Sequence, residues 1–249
     1  CFSEELSMNS MEEVKSVDIT IVYDNVSFDD NFLAGFGFAC IIKVINSDRS
    51  HYILFDTGGN FGKLNANIRR AGYDVDDIEI IVISHNHYDH TGGLSGVEYQ
   101  NPDIKVYLPT SAPVKNMLNS VTAKNAIQVE TEPYKIVDGV YSTGCLGTTI
   151  KEQALVIFTS EGVLLITGCA HPGIVNIVTH VRNTFSKDIY LVAGGFHRPS
   201  VKAAEKLMEL GVKNVAPSHC TGDQETQVFK DVFQNRFIKS GIGKHFSIP

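Results

Sequence analysis

Apolar positions in the first half of the chain recur with the two-residue period of half-buried strands or in short continuous runs. They predict strands at residues 17–23, 39–45, 51–55, 80–83 and 105–108. Helical spacing predicts helices at residues 61–71 and 94–99, the first of them ending at Gly72 as a C-terminal cap. Residues 25–37, rich in Asp, Phe and Gly, are expected to form a loop near a rim of the fold.

The second half of the chain again shows strands followed by helices. Predicted strands lie at residues 136–137, 140–143, 155–159, 163–167, 189–193 and 212–217. Predicted helices lie at residues 174–184, 201–210 and 224–236. Glu161 and Gly162 are expected to form a tight turn between two of the strands. Two rounds of strands followed by helices predict an α/β fold of the α+β kind, with a two-sheet core and helices outside.

No linker divides the chain, so residues 17–249 are predicted to form a single domain with pseudo-twofold halves. The polar and acidic residues 1–16 before it are expected to form a loose arm. Residues 110–133 contain two prolines and few apolar runs. We expect them to cover the functional site and to influence the choice of substrate.

The composition is ordinary for a globular protein, with 43% hydrophobic and 20% charged residues among 249. The net charge of −7 argues against a nucleic-acid partner, because binding to a phosphate backbone needs a basic surface. It leaves room for a local basic pocket that binds a small anion. No apolar run reaches the roughly 18–20 residues needed to cross a bilayer, and no feature of the sequence specifies an oligomeric state.

Five cysteines without a Cys-x-x-Cys spacing make a disulfide framework unexpected, and they predict a reducing, cytoplasmic location. The sequence begins at Cys1 rather than at methionine. Two interpretations of Cys1 are open. A shortened chain is favoured, and the alternative is the lipid-bearing cysteine of a lipoprotein after signal cleavage, which would make the protein lipid-anchored.

The closest grouping of histidine and acidic side chains directly follows the apolar run at residues 80–83, in Ser-His-Asn-His-Tyr-Asp-His-Thr-Gly-Gly. Imidazole and carboxylate together suit zinc, iron or manganese. His85 and His87 lie on the same side of an extended segment, so both rings can reach one ion. Asp89 and His90 lie beyond the bend and can face a second ion. A single histidine beside a strand is more often a satisfied structural residue, but three histidines and an aspartate at this density predict a metal site.

His-x-His-x-Asp-His after a hydrophobic strand resembles the signature of the metallo-β-lactamase superfamily, and the other motifs follow in the matching order. The resemblance implies a four-layer αββα sandwich with metal ions at one edge of two facing sheets. It implies that Asp56, in Asp-Thr-Gly-Gly, accepts the second N–H of a metal-bound histidine, a simple turn being the alternative. It also makes His219, in Pro-Ser-His-Cys-Thr-Gly, the last ligand of the second ion, beside Asp89 and His90.

His171, in Gly-Cys-Ala-His-Pro-Gly, follows a predicted strand, and the next helix is expected to open at Pro172. Alone, His171 is equally a cap or a ligand; with the upstream motif it becomes the predicted third ligand of the first ion. The chain departs from the resemblance at Cys169, which stands where a bridging aspartate is expected, and no histidine lies between His90 and His171. A thiolate can bind or bridge metal ions, and a small buried hydrophobe is the equal alternative. Whether one or two ions bind is therefore open.

A further motif, Ala-Gly-Gly-Phe-His-Arg, ends another predicted strand. His197 is expected to contact substrate or to act as an acid, with a supporting or surface position nearly as favoured. Arg198 is predicted to pair with a phosphate or carboxylate of the substrate. His51, His180 and His245 carry no supporting context and are expected to be structural or exposed.

Together the motifs resemble a subgroup of the superfamily typified by an archaeal enzyme of methanopterin biosynthesis, a ribofuranosylaminobenzene 5′-phosphate synthase. The favoured function is a metal-dependent hydrolase in which metal-activated water attacks a phosphoester of a small anionic molecule. An ester or lactone is the next substrate class, and Asp89 is the candidate proton acceptor. The alternatives are a transferase-type condensation on a pterin pyrophosphate, or a metal-binding protein without turnover. Zinc is the expected ion, as one or two per chain, and iron and manganese are the alternatives.

Overall fold

The computed structural model describes residues 12–47, 49–110 and 125–249. Cys1 and most of the predicted N-terminal arm lie outside the described residues, and so do residues 111–124 of the predicted cover. The described chain forms two sheets flanked by helices, which confirms the predicted αββα sandwich.

The first sheet has seven described strands, in the order β13-β1-β2-β3-β4-β5-β6. They are β1 (Ser16–Tyr23), β2 (Ala39–Ile45), β3 (Ser50–Phe55), β4 (Ile80–Val82), β5 (Lys105–Pro109), β6 (Ala126–Val129) and β13 (His245–Ile248). Strands β1, β2 and β3 pair antiparallel, whereas β3 to β6 pair in parallel. Strands β1, β3 and β4 therefore end at the same edge of this sheet.

The second sheet has six described strands, in the order β12-β11-β10-β9-β8-β7. They are β7 (Tyr134–Val137), β8 (Val140–Ser142), β9 (Leu155–Thr159), β10 (Gly162–Thr167), β11 (Ile189–Gly195) and β12 (Asn214–Ser218). Strands β10, β11 and β12 pair in parallel, so their carboxyl ends share an edge as well.

Five of the six described α-helices pack on the outer faces of the sheets, and the sixth, the four-residue helix at residues 88–91, lies in the histidine-rich motif. The helices are α1 (Phe61–Arg70), α2 (Tyr88–Thr91), α3 (Leu94–Gln100), α4 (Ile174–Phe185), α5 (Val201–Glu209) and α6 (Asp223–Phe233). Helix α4, for example, buries positions spaced by three and four residues, namely Ile174, Ile177, Val178, Val181 and Phe185. Within the described ranges, no helix has the length and apolar character to cross a bilayer.

Three apolar clusters hold the four layers together, one between each pair of adjacent layers. Between the sheets, Ile19 and Ile53 of the first sheet belong to the same cluster as Leu164 of the second. A second cluster joins the outer face of the first sheet to α1 and α3, and a third joins the outer face of the second sheet to α4, α5 and α6. Burying each such aliphatic side chain stabilises the fold by about 1.5–3 kcal/mol relative to leaving it exposed. The two sheets therefore face each other across a continuous apolar core.

Two local predictions are wrong. The turn predicted at Glu161 and Gly162 lies one residue earlier, because Gly162 already pairs with Thr159 as the first residue of β10. The helix begins at Ile174, as its predicted range of residues 174–184 has it, so the expectation that it opens at Pro172 is the wrong one.

Three short elements escaped the sequence analysis: α2, β6 and β13. Each has only four residues, too few for a periodic pattern to emerge. Strand β6 is also only partly buried, at the margin of the first sheet.

Candidate metal centre

The predicted ligands all lie just after the carboxyl end of a strand. The motif at residues 85–90 follows β4 of the first sheet, and Asp56 follows β3. In the second sheet, Cys169 and His171 follow β10, and His219 follows β12. Loops at the ends of parallel strands in both sheets thus bring side chains from the two halves of the chain together.

The first group joins His85, His87 and His171. His85 Nε2 lies 3.1 Å from His87 Nδ1. The ring centroid of His171 lies 4.5 Å from that of His85 and 4.9 Å from that of His87. One nitrogen from each of the three rings lies within 4.8 Å of the other two.

The second group joins Asp89, His90 and His219. Asp89 Oδ2 lies 3.5 Å from His90 Nε2 and 3.4 Å from His219 Nε2. The two groups are neighbours, because the ring centroids of His85 and His90 are 4.2 Å apart. The structure thus brings together all six side chains that the sequence nominates as ligands; their role as ligands stays a prediction.

The donor spacing fits a divalent ion. Two ligand nitrogens, each 2.0–2.1 Å from a tetrahedral zinc ion, stand about 3.3 Å apart. The contacts of 3.1, 3.4 and 3.5 Å in the two groups lie close to that separation. His219 Nε2 is buried and has no hydrogen-bond partner, which is costly unless something else occupies its lone pair. Imidazole nitrogens with one carboxylate are also the donors that zinc, iron and manganese accept.

The electrostatics favour the ligating protonation states of His85, His87 and Asp89. Burial lowers the pKa of His85 and of His87, and the neighbouring imidazoles lower it further, so both rings stay neutral with a free lone pair. Burial alone would raise the pKa of Asp89, but the adjacent rings of His219 and His90 outweigh it electrostatically and lower the pKa to about 2. Asp89 is therefore ionised at neutral pH.

Asp56 lies at the centre of a buried hydrogen-bond network. Its Oδ2 accepts from His90 Nδ1 at 2.7 Å and from the Ser84 hydroxyl at 2.7 Å, and its Oδ1 accepts from the Ser84 N–H at 2.7 Å. The backbone of Asp56 adopts a positive φ of 59°, a strained conformation for a non-glycine residue. With Nδ1 of His90 held by a carboxylate, Nε2 is directed at the second group, which is the arrangement the sequence resemblance implies for Asp56.

Glu152 is a functional candidate that the sequence analysis missed. Its fully buried carboxylate accepts four hydrogen bonds, from the N–H groups of Cys169, Ala170 and His171 at 2.8–2.9 Å and from His171 Nδ1 at 2.8 Å. These bonds hold residues 169–171 as a loop, which explains why the helix does not open at Pro172. They also turn His171 Nε2 toward the first group. The available signal was a glutamate three residues before the fully buried strand β9.

Asn25 and Asp24 were also missed. Asn25 Oδ1 lies 2.7 Å from His219 Nδ1, and Asp24 Oδ1 accepts from the His219 N–H at 3.2 Å. Three histidines of the cluster thus have their Nδ1 held by an oxygen of a different segment, which directs Nε2 inward. Both missed residues directly follow β1, as Asp56 follows β3, and that shared position was the signal.

Cys169 lies between the two groups. Its sulfur is 3.3 Å from His90 Nε2, and it forms one compact set of donor atoms with His85 and His90. The side chain is almost fully buried. From this position the sulfur can contact an ion in either group, so the geometry is compatible with the predicted ligand role of Cys169.

His197 and Arg198 lie at the mouth of the centre. The His197 ring centroid is 4.4 Å from that of His171. Both residues have positive φ, 50° and 45°, consecutive strained positions of the kind that cluster at functional sites. They line a cavity of about 550 Å³ whose other lining residues include Phe36, His219, Lys239 and Ser240.

His51, His180 and His245 instead contact groups outside the cluster, as predicted for structural residues.

A family model described as the metallo-beta-lactamase superfamily matches residues 38–219, a range that contains every predicted ligand. The chain belongs to this superfamily. Membership confirms the predicted resemblance and supports a metal-dependent hydrolase at the level of the superfamily.

Relatives of this metallo-β-lactamase superfamily member include both a synthase and a hydrolase. The chain is 26% identical to the 7,8-dihydropterin-6-methyl-4-(beta-D-ribofuranosyl)-aminobenzene-5′-phosphate synthase of Methanocaldococcus jannaschii, over 90% of this chain and 94% of the relative. It is 28% identical to the uncharacterized protein MJ0448 of the same organism, over 92% and 100%. The solved structure of Tm1679, a metal-dependent hydrolase of the beta-lactamase superfamily, matches with a TM-score of 0.76 and 28% identity, over 92% of this chain and 98% of that chain.

Proposed function

We propose that this protein is a metal-dependent hydrolase that uses metal-activated water on a small anionic substrate, with a phosphoester as the preferred class. The observation that carries the proposal is the convergence of two groups of donor atoms from both halves of the chain, with the second nitrogen of three histidines fixed by an oxygen. Such preorganisation is typical of a binding site for ions and serves no purpose in an apolar core.

The two groups of side chains would each bind one metal ion. His85, His87 and His171 would hold the first ion, and Asp89, His90 and His219 the second, with Cys169 within reach of both. A bound divalent ion supplies the Lewis acidity that makes water nucleophilic near neutral pH.

Two side chains are the candidates to handle water and protons: Asp89 of the second group and His197 at the mouth. Because Asp89 is ionised, it would orient the attacking water by accepting a hydrogen bond from it, and it would be a weak proton acceptor. His197 lies between two cavities that flank the centre and is the candidate to donate a proton to the leaving group.

The cavity beside the centre indicates the substrate class. Its walls carry the cationic side chains of Arg198 and Lys239 and the aromatic rings of Phe36 and Phe237. A guanidinium binds a phosphate or carboxylate through paired hydrogen bonds, and aromatic rings favour a flat or apolar group on the same molecule. A small phosphoester with an aromatic or other apolar part satisfies both features.

A transferase-type condensation on a pterin pyrophosphate is the second candidate. It is supported by the relative named as a dihydropterin synthase, which matches nearly the whole chain, and by the aromatic side chains in the cavity. In that reaction the same cationic surroundings would stabilise a leaving pyrophosphate instead of an attacked phosphoester. Product analysis separates the two: a new bond between two substrates identifies the transferase, and incorporation of water identifies the hydrolase.

The test is turnover of a panel of phosphoesters, phosphodiesters, thioesters and lactones by zinc-, iron- or manganese-loaded protein. We expect a phosphoester to be hydrolysed and Arg198→Ala to raise its KM by roughly 10- to 100-fold, since a charge-assisted hydrogen bond contributes about 1.5–3 kcal/mol. The matched control is Arg69→Ala, whose side chain is largely exposed and pairs with a surface aspartate. Metal-loaded protein that turns over no member of the panel would leave a binding protein without turnover.

A further inference from the structure

Two thiols meet beside the second group. Cys169 follows β10 and Cys220 follows β12, on either side of the parallel strand β11. The sulfur atoms of both cysteines and one nitrogen of His219 all lie within 4.8 Å of one another. The sequence analysis did not nominate Cys220, because a Cys-x-x-Cys spacing is absent and the pair forms only across the sheet.

The packing at Gly195, the last residue of β11, permits this approach. A Cβ placed on Gly195 would lie 2.7 Å from Cys220 Sγ, 2.4 Å from the Gly168 carbonyl oxygen and 3.3 Å from Cys169 Cα. Any side chain there would push the two cysteines apart. The second observation is the buried His219 Nε2 without a hydrogen-bond partner, since Asn25 already holds the Nδ1 of that ring.

We propose that Cys169, His219 and Cys220 form a thiophilic position for the second metal ion, an alternative to the carboxylate position formed by Asp89, His90 and His219. The inference rests on the metal centre of the proposed function. The two positions share His219, whose single free nitrogen serves one ion at a time.

The donor chemistry decides which ion takes which position. Two sulfurs and one imidazole suit a soft or borderline ion such as cadmium or zinc, whereas an aspartate with imidazoles also accepts the harder manganese. Cadmium is therefore expected to occupy the sulfur position and manganese the carboxylate position. The superfamily resemblance places an aspartate where Cys169 stands, so this chain is expected to retain cadmium and zinc more tightly than a carboxylate-only centre would.

The experiment is titration of the metal-free protein with cadmium, in the presence of a phosphine reductant, followed by the ultraviolet charge-transfer absorption of cadmium–thiolate bonds. We expect an absorption band in the wild type that falls by about half in Cys220→Ser, because one of two sulfur ligands is lost. Removing an outer hydrogen-bond partner of a metal ligand typically lowers the metal affinity by roughly 10-fold. Loss of the Cys220 sulfur, a ligand itself, should lower the affinity for cadmium by more than that, while the affinity for manganese changes less. Cys145→Ser, which removes a buried thiol outside the cluster, is the matched control and should leave the band unchanged.

A second readout on the wild type guards against a variant that does not fold. Cadmium should slow alkylation of Cys220, the more exposed thiol of the pair, as followed by peptide mass spectrometry, and manganese should not. Cadmium bound at full stoichiometry without a thiolate band or protection of Cys220 would overturn the sulfur position and leave the proposed function standing. Failure of the proposed function is a separate outcome, seen as metal-loaded protein without turnover.

Discussion

Replacing Glu152 by glutamine tests whether the metal centre depends on a residue that binds no metal itself. The carboxylate is fully buried and accepts four hydrogen bonds from the loop at residues 169–171. Glutamine has nearly the same shape, but only its oxygen can accept. Its NH₂ group would face the N–H groups of His171, donor against donor, and the ring would lose the acceptor that fixes Nδ1 as the protonated nitrogen.

The magnitude follows from the pKa of Glu152. Burial opposes ionisation, yet the hydrogen bonds from the His171 ring and from the backbone N–H groups lower the pKa to about 2 from an ordinary 4.5. At about 1.4 kcal/mol per pKa unit, this difference corresponds to about 3 kcal/mol of folding free energy. Glu152→Gln is therefore expected to lower the free energy of unfolding at pH 7 by about 3 kcal/mol. Loss of the oriented ring should weaken metal binding by roughly 10- to 100-fold.

The assays are urea unfolding and competition with a chelator. Since the pKa of Glu152 is lower in the folded state, its contribution is complete above about pH 4.5 and is lost as the pH falls through about 2. The stability difference between the wild type and Glu152→Gln should narrow across that window. Glu209→Gln, the same change at a largely exposed side chain, is the control and should alter neither property. Wild-type stability and metal affinity in Glu152→Gln would refute the reasoning.

Three further predictions concern the motif, the packing and the mouth of the site. His87→Ala should remove metal and activity together, measured by elemental analysis and turnover, and an active metal-free variant would contradict the ligand assignment. Gly168→Ala should weaken metal retention, because a Cβ there would lie 2.1 Å from the Ser84 hydroxyl oxygen; Gly62→Ala, whose nearest neighbour would be 3.3 Å away, should not. Phe36→Ala should raise KM several-fold, because this ring is 70% exposed at the cavity, yet leave the unfolding free energy within about 0.5 kcal/mol; an unchanged KM would remove Phe36 from substrate binding.

The sequence predicted those strands whose burial shows as a clear run or alternation of apolar residues. Strands at residues 17–23, 39–45 and 155–159 carry enough consecutive apolar positions for the pattern to be read directly, and the structure places them within one residue of the prediction. Strands β6 and β13 were missed because each has four residues with polar ones among them, whereas the even shorter β4 is continuously apolar. Helix α4 begins at Ile174 and not at Pro172 because hydrogen bonds to a carboxylate 19 residues upstream of His171 hold the loop before it, a constraint absent from local propensity.

The residues of the candidate site were also predictable only in part. His85, His87, Asp89 and His90 were predictable because four donors fall within six residues, a density that a core does not tolerate without a purpose. The residues that orient the histidines were harder to predict. Glu152 and Asn25 lie outside every motif of the sequence, and they contact His171 and His219 only where loops from different strands meet. Cys220 follows His219 directly, but its neighbour Cys169 comes from another strand. Asp56 was assigned through the family resemblance, and its hydrogen bond to His90 supplies the physical reason.

The most direct measurement is anomalous diffraction from a crystal of the protein, collected at the absorption edge of the metal it retains. The account predicts a peak about 2.0–2.1 Å from the ring nitrogens of His85, His87 and His171. Where a second ion binds, its peak should contact His219 together with either Asp89 and His90 or the two sulfurs. An electron-density map in which these rings point apart, with no anomalous peak among them, would contradict the account.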